Sequence, residues 1–360
     1  MEGRQIVYGI LSEYRRAVLL FQKAGRNQVF VDKSLLIEKL SARIHTGDQY
    51  VCITRPRRFG KTMNAERNAY LGFLKNLLKD QPYVELVYMT GVLPIAKYSS
   101  GSELNMFDEY SFINDNVYDS FFGFSEGEVR ALCEQYPTVP YGEIRQWYDG
   151  YYTSKGESLF NPRSVSRALM RGVCLNYWTE TGPINEIADC IEHNIDEVRE
   201  DIVKLVAGIP VSIKLKGYSA SELQLNARNE ILSAMVVYGF VSYYDGEIRI
   251  PNRELMEKYQ EVLMRKSMGE VKAVVERSAD MLKATLQCDE EKVASILEKV
   301  HDREIPFLQY GDENSLPCVI TLCYLYARDE YRIEREARSG KGYYDYLFYP
   351  GKKGKPASRH

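Results

Sequence analysis

The sequence predicts an α/β fold, and three observations predict it. Tyr50-Val-Cys-Ile-Thr54 is a short apolar run that leads into a loop containing Gly60-Lys61-Thr62 and then into a helical pattern. Strand, loop and helix in that order are the local signature of a parallel sheet covered by helices. Between about 184 and 260 the pattern becomes helix-rich and closes with helix, hairpin and helix, and beyond 301 a helix precedes two strands. The expected organisation is an α/β domain over 1–125, a helical and winged-helix-like region over 126–300, and a small α/β domain over 301–360.

Each element has its own signal. Ile6, Ile10, Leu11, Tyr14, Val18, Leu19 and Phe21 recur at helical spacing. Val29-Phe-Val31 is a short strand, and Asp32 caps a helix over Lys33–Arg43 that His45-Thr-Gly47-Asp48 closes. After the loop, Leu71, Leu74, Leu77 and Leu78 share one face of a helix over Ala69–Lys79, and Val84–Met89 is a buried strand ending in Thr90-Gly91. The stretch from 92 to 122 is irregular. Ser125-Glu-Gly-Glu128 is a capping box, and a further helix precedes Trp147-Tyr-Asp-Gly-Tyr-Tyr152. Trp147 and Tyr148 are a packed helix end, with Asp149-Gly150 as the turn, and Asn161-Pro-Arg-Ser164 opens the next helix.

Glu230–Tyr238 is helical, and Asp245-Gly246 is a tight turn between the strands Phe240–Tyr244 and Glu247–Ile250. Winged-helix modules bind DNA or serve as internal packing units; with no basic recognition helix, packing is the favoured reading here. Helices continue to about Val300. A long helix over Ser315–Tyr331 then precedes strands over Tyr331–Arg338 and Tyr343–Tyr349, with Ser339-Gly-Lys-Gly342 between them.

Composition excludes several classes. The chain has 360 residues, 45% of them hydrophobic and 27% charged, enough for a sizeable core. A net charge of −3 argues against a surface built to coat nucleic acid. The 28 Tyr suit half-buried sheet surfaces. Seven Cys without a Cys-x-x-Cys pair, and His45, His193, His301 and His360 without an i, i+4 pair, leave little basis for zinc. Scattered thiols, no apolar leader and no bilayer-length apolar run give the expectation of a soluble, cytoplasmic protein without a membrane partner.

The loop carries the chemistry. In Thr54-Arg-Pro-Arg-Arg-Phe-Gly-Lys-Thr62, Gly60 permits close approach of the backbone to an anion. Lys61 supplies charge to the outer phosphates, and the Thr62 hydroxyl is a magnesium ligand. Arg55, Pro56, Arg57, Arg58 and Phe59 complete the candidate binding loop, although Arg55 stands where the usual pattern has Gly. The bland alternative is a basic turn. Against it, Arg55, Arg57, Arg58 and Lys61 repel one another unless a polyanion neutralises them. A nucleoside triphosphate with Mg2+ is the expected ligand, ATP or GTP.

Val29-Phe-Val-Asp-Lys33, the loop, Met89-Thr-Gly91, Phe122-Gly-Phe-Ser-Glu126, Trp147-Tyr-Asp-Gly-Tyr151 and Asn161-Pro162 together resemble the bacterial AAA-ATPase-like family. Its members often carry a C-terminal domain of the PD-(D/E)xK nuclease superfamily, and they carry Arg at the first loop position. The resemblance implies a truncated P-loop NTPase domain, a helical and winged-helix-like middle, and a small nuclease-like α/β end. It also implies ATP and Mg2+ as cofactors and brings DNA in as a candidate partner. A protein partner is not identified.

Two departures qualify the resemblance. The family places an apolar strand ending in paired acids (Walker B) well after the loop. Here the residues between Thr62 and Val84 hold no such run, and Phe107-Asp-Glu-Tyr110 lacks a preceding strand. Hydrolysis is therefore expected to be impaired. Glu66 sits one turn into the helix after Thr62 and is taken as solvent-facing. At the other end, Glu313 and Asp345 match the first two nuclease acids, as catalytic residues and Mg2+ ligands, but a Glu/Asp-x-Lys strand does not follow Pro350. Thr90 resembles a γ-phosphate sensor at a strand end. The leading expectation is an ATP-binding protein; the alternatives are a DNA nuclease completed by another chain, or a non-enzymatic interaction protein or decayed family member.

Overall fold

A computed structural model describes residues 33, 35–44, 46, 48–54, 74–91, 106–110, 117–178, 195–215, 227–265, 268–301, 315–339 and 342–350. They form a mixed α/β structure in two compact units, one holding the described residues up to 178 and the other those from 195 onward.

The first unit is built on β1 (Tyr50–Thr54), which runs parallel to β2 (Val87–Gly91) on one side and to β3 (Asp108–Tyr110) on the other. Because side chains alternate along a strand, this sheet has two distinct faces. Val51 and Ile53 pack with Leu36 and Leu40 of α1 (Leu35–Ser41) and with Tyr110, Tyr118 and Phe122. Tyr50, Cys52, Val87, Met89 and Phe107 face the other way and meet Leu74 and Leu78 of the helical stretch 74–78. With both faces covered, the middle of β1, Val51-Cys52-Ile53, is apolar and buried, as a central parallel strand requires.

Residues 117–178 complete this unit. A 3-10 turn (Asp119–Phe121) leads into β4 (Phe124–Ser125) and α2 (Glu126–Gln135), and then α3 (Tyr141–Tyr148), β5 (Tyr151–Tyr152), β6 (Ser158–Phe160) and α4 (Pro162–Arg171) follow. The capping box forms as expected: Glu128 N–H donates to Ser125 Oγ, and Ser125 N–H donates to Glu128 Oε2 at 2.8 Å. Asn161 caps α4 by accepting from the N–H groups of Arg163 and Ser164, and Gly172 ends the helix at φ 69°, a conformation that favours glycine. Val129, Leu132, Ile144, Trp147, Phe160, Val165 and Leu169 form the core between these helices.

The second unit opens with α5 (Ile195–Val206), β7 (Val211–Ser212), α6 (Arg228–Tyr238), β8 (Ser242–Tyr244), β9 (Glu247–Arg249) and α7 (Arg253–Leu263). The three strands form an antiparallel sheet in the order β7-β9-β8, and Asp245 (φ 51°) and Gly246 (φ 81°) make the hairpin turn. Every residue of α6 from Ile231 to Val237 is buried. A helix buried on all sides is a core element. Three helices follow, α8 (Glu270–Val275), α9 (Ser278–Leu286) and α10 (Glu290–His301). The last described elements are α11 (Ser315–Cys323), α12 (Ala327–Glu330) and the antiparallel pair β10 (Tyr331–Ser339) and β11 (Gly342–Pro350).

Three expectations need correction. The segment 92–122 was expected to be irregular, yet Asp108–Tyr110 is a strand; pairing with the buried Val51, Cys52 and Ile53 of β1 overrides the poor strand propensity of Asp and Glu. The strand expected over Val84–Met89 begins at Val87, because Val84 N–H closes a turn onto the Gln81 carbonyl at 3.1 Å. The long helix expected over Ser315–Tyr331 breaks after Cys323. There the Leu325 N–H turns to the Leu322 carbonyl at 3.3 Å, and the Tyr326 N–H leaves the ladder for Ser278 Oγ at 3.2 Å.

Candidate functional site at the carboxyl edge of the parallel sheet

The register brings three strand ends to one level. Ile53 lies opposite Thr90 on one side and Tyr110 on the other, and Thr54 lies opposite Gly91. Ligands of open α/β sheets bind beyond the carboxyl ends of the strands, where the turns leave the sheet. Arg55, Pro56, Arg57, Arg58, Phe59, Gly60, Lys61 and Thr62 continue from Thr54 at this edge in sequence and lie outside the described residues, as does Glu66.

Thr90 is the one predicted binding residue of this edge that is described. Its Oγ1 is buried and makes no hydrogen bond among the described residues. A hydroxyl left so is costly unless something completes it.

The acids of β3 separate by face. Asp108 is half exposed and pairs with Arg43, whose Nη1 is 3.2 Å from Asp108 Oδ2 and whose Nη2 donates to Tyr110 Oη at 2.7 Å. That guanidinium also lies over the rings of Tyr110 and Tyr118, 5.3 and 5.5 Å from their centroids. Glu109, level with Cys52, belongs to the opposite face and has its Oε1 buried. Sequence reasoning set this tetrapeptide aside because no strand precedes it; the useful signal was the Asp-Glu pair enclosed by Phe107 and Tyr110.

Magnesium takes hard oxygen ligands. Thr62, whose hydroxyl is the expected ligand, lies outside the described residues, and the buried oxygens of Thr90 and Glu109 belong to opposite faces of the sheet. Among the described residues no group of three His, Cys, Asp or Glu side chains is gathered for a metal. Of the nuclease-like acids, Glu313 lies outside the described residues, and Asp345 lies in β11 between the rungs Ala337↔Tyr344 and Arg335↔Tyr346.

Several motifs that carried the resemblance have structural duties. Lys33 Nζ contacts both oxygens of Glu128, at 2.8 and 2.9 Å, and the Ser120 carbonyl at 3.1 Å, which ties it to the start of α2. Asp149 accepts from the Gly150 N–H at 2.7 Å and from the Ser158 hydroxyl, fixing the turn after α3. Comparison of the chain with protein-family models, curated proteins and solved structures finds no match.

Proposed function

We propose that this chain binds a nucleoside triphosphate with magnesium at the carboxyl edge of the β1–β2–β3 sheet and hydrolyses it slowly or not at all. One observation carries the reading: the sequence that holds Gly60-Lys61-Thr62 continues from Thr54, the last residue of a parallel strand that lies between two others and is buried at Val51, Cys52 and Ile53. Loop amides and Lys61 hold the phosphates, Thr62 contributes an oxygen to the metal, and Thr90 donates its buried hydroxyl toward the terminal phosphate. When bound, magnesium neutralises charge on the phosphate oxygens. Slow hydrolysis is expected because the sequence between Thr62 and Val84 holds no apolar run ending in paired acids and, of the acids on β3, Asp108 is engaged by Arg43.

Calorimetry with ATP and magnesium, beside a phosphate-release assay, tests this. Wild type binds without appreciable release, and Lys61→Ala weakens binding by about 10-fold or more, the scale of a lost charge-assisted contact. Folded wild-type protein that binds neither ATP nor GTP overturns the proposal. Rapid phosphate release overturns its hydrolysis half alone.

A further inference from the structure

We propose that Asp245-Gly246 is a site of spontaneous isoaspartate formation, and that the fold directs this chemistry to it rather than to Asp149-Gly150. These are the two Asp-Gly pairs in the sequence, and each follows a tyrosine. In such a pair the Gly nitrogen attacks the side-chain carboxyl carbon of Asp. A carboxyl oxygen leaves as water with the amide proton, and a five-membered succinimide closes. Water then opens the ring at either carbonyl, so the water lost in the first step is regained. One opening restores Asp; the other routes the main chain through the Asp side chain and leaves a free α-carboxylate. Glycine suits the second position because it has no Cβ to shield its nitrogen or restrict the dihedral angles of ring closure. No oxidant, metal or enzyme is required, so the surroundings of each pair set its rate, whatever the phosphate loop binds.

Those surroundings differ. The Asp149 side chain is 15% exposed and is held by three groups. The Gly150 N–H donates to its Oδ1 at 2.7 Å, the Ser158 hydroxyl donates to the same oxygen, and Arg145 Nε lies 3.4 Å from Oδ2. The attacking nitrogen thus points its hydrogen at the carboxylate, and turning the side chain to set its carboxyl carbon over that nitrogen breaks all three contacts. Asp245 is exposed, and its carboxylate makes no hydrogen bond or ion pair among the described residues. The Gly246 N–H makes none there either, and no atom lies within 4 Å of the place a Cβ would occupy. An exposed side chain changes rotamer readily, so the Asp245 carboxyl reaches the nitrogen without breaking anything. Isomerisation lengthens the main chain of this two-residue turn by one carbon. That disturbs the Tyr244↔Glu247 rung and the bond from the Ile213 N–H of the adjoining β7 segment to the Gly246 carbonyl, 2.9 Å.

The test incubates the wild-type chain, folded and in denaturant, at neutral pH in water enriched in the heavy oxygen isotope, and then digests it with trypsin in ordinary water. Peptides 229–249 and 146–155 each carry one Asp-Gly pair and no other aspartate. Mass spectrometry reads the heavy oxygen fixed at that aspartate, and chromatography separates the isoaspartyl form. In the folded protein, label accumulates several-fold faster at Asp245 than at Asp149. In denaturant, where only the shared Tyr-Asp-Gly sequence remains, the two rates converge. Asp245→Glu, whose longer side chain cannot close a five-membered ring, abolishes labelling in its peptide. Equal rates in the folded protein, faster labelling at Asp149, or no label at Asp245 overturns the proposal. A bias toward Asp245 that persists undiminished in denaturant also overturns it, because local sequence and not the fold then makes the selection.

Discussion

The Tyr148 hydroxyl donates to the Leu175 carbonyl at 2.9 Å and accepts from the Leu175 N–H at 3.0 Å, so one buried side chain satisfies both backbone groups of a residue beyond α4. The expected cost of Tyr148→Phe is about 1–3 kcal/mol, since two buried backbone groups lose their partner while the ring stays packed. Urea unfolding measures it, and a change within experimental error would show that water replaces the hydroxyl. The packing of Tyr148 was legible from Trp147-Tyr148 closing a helix. Its hydroxyl contacts were not, because Leu175 lies far along the chain and no local pattern points to it. Lys33 and Glu128 make the same point. Each sits in a recognisable motif, but their ion pair exists only once the sheet and α2 have come together.

At the scale of elements, local chemistry was the best guide. Ser125 and Glu128, Asn161-Pro162, and Asp245-Gly246 each state a cap or a turn within a few residues, and each is formed as expected. Gly246 has no atom within 4 Å of an added Cβ, so Gly246→Ala is penalised by backbone conformation alone at φ 81°. A loss of about 1 kcal/mol is expected in thermal or urea unfolding. An unaltered stability would mean that the hairpin adopts another turn. The illegible elements were those whose existence depends on a distant partner. Asp108–Tyr110 is too short for periodicity to be seen, and only its register against Val51, Cys52 and Ile53 makes it a strand. The break after Cys323 likewise depends on Ser278, an acceptor from another helix.

For the whole molecule, burial makes a chemical prediction. Cys52, Cys174, Cys318 and Cys323 are buried, Cys133 is partly buried, and Cys288 is exposed in a left-handed backbone conformation at φ 55°. Burial pushes the Cys323 thiol up to about 12. Because the thiolate is the reactive form, Cys323 stays protonated and inert at pH 8, and it gains reactivity only on unfolding, when its pKa falls to the ordinary range. Mass-spectrometric maleimide footprinting at pH 8 should label Cys288 before the buried Cys52, Cys174 and Cys318, and Cys323 only in denaturant. Equal labelling of Cys288 and Cys323 in the folded protein would contradict this burial. No described helix is long and apolar enough to cross a membrane. The α/β class was legible because apolar periods are written locally. The carboxyl edge was legible only in its loop, because its acids belong to a strand defined by tertiary pairing.

The parallel sheet also has a consequence for synthesis. β1 is the central strand, yet both of its neighbours, β2 and β3, are encoded after it. At about 5–20 residues per second, the interval between translation of Thr54 and of Tyr110 is on the order of 3–11 s. Throughout that interval Val51, Cys52 and Ile53, the most apolar residues of the sheet, have no strand on the side that β3 will occupy. For this unit the hazardous stage is thus on the ribosome, where a nascent chain carries an unpaired strand edge with its eventual partner still unmade.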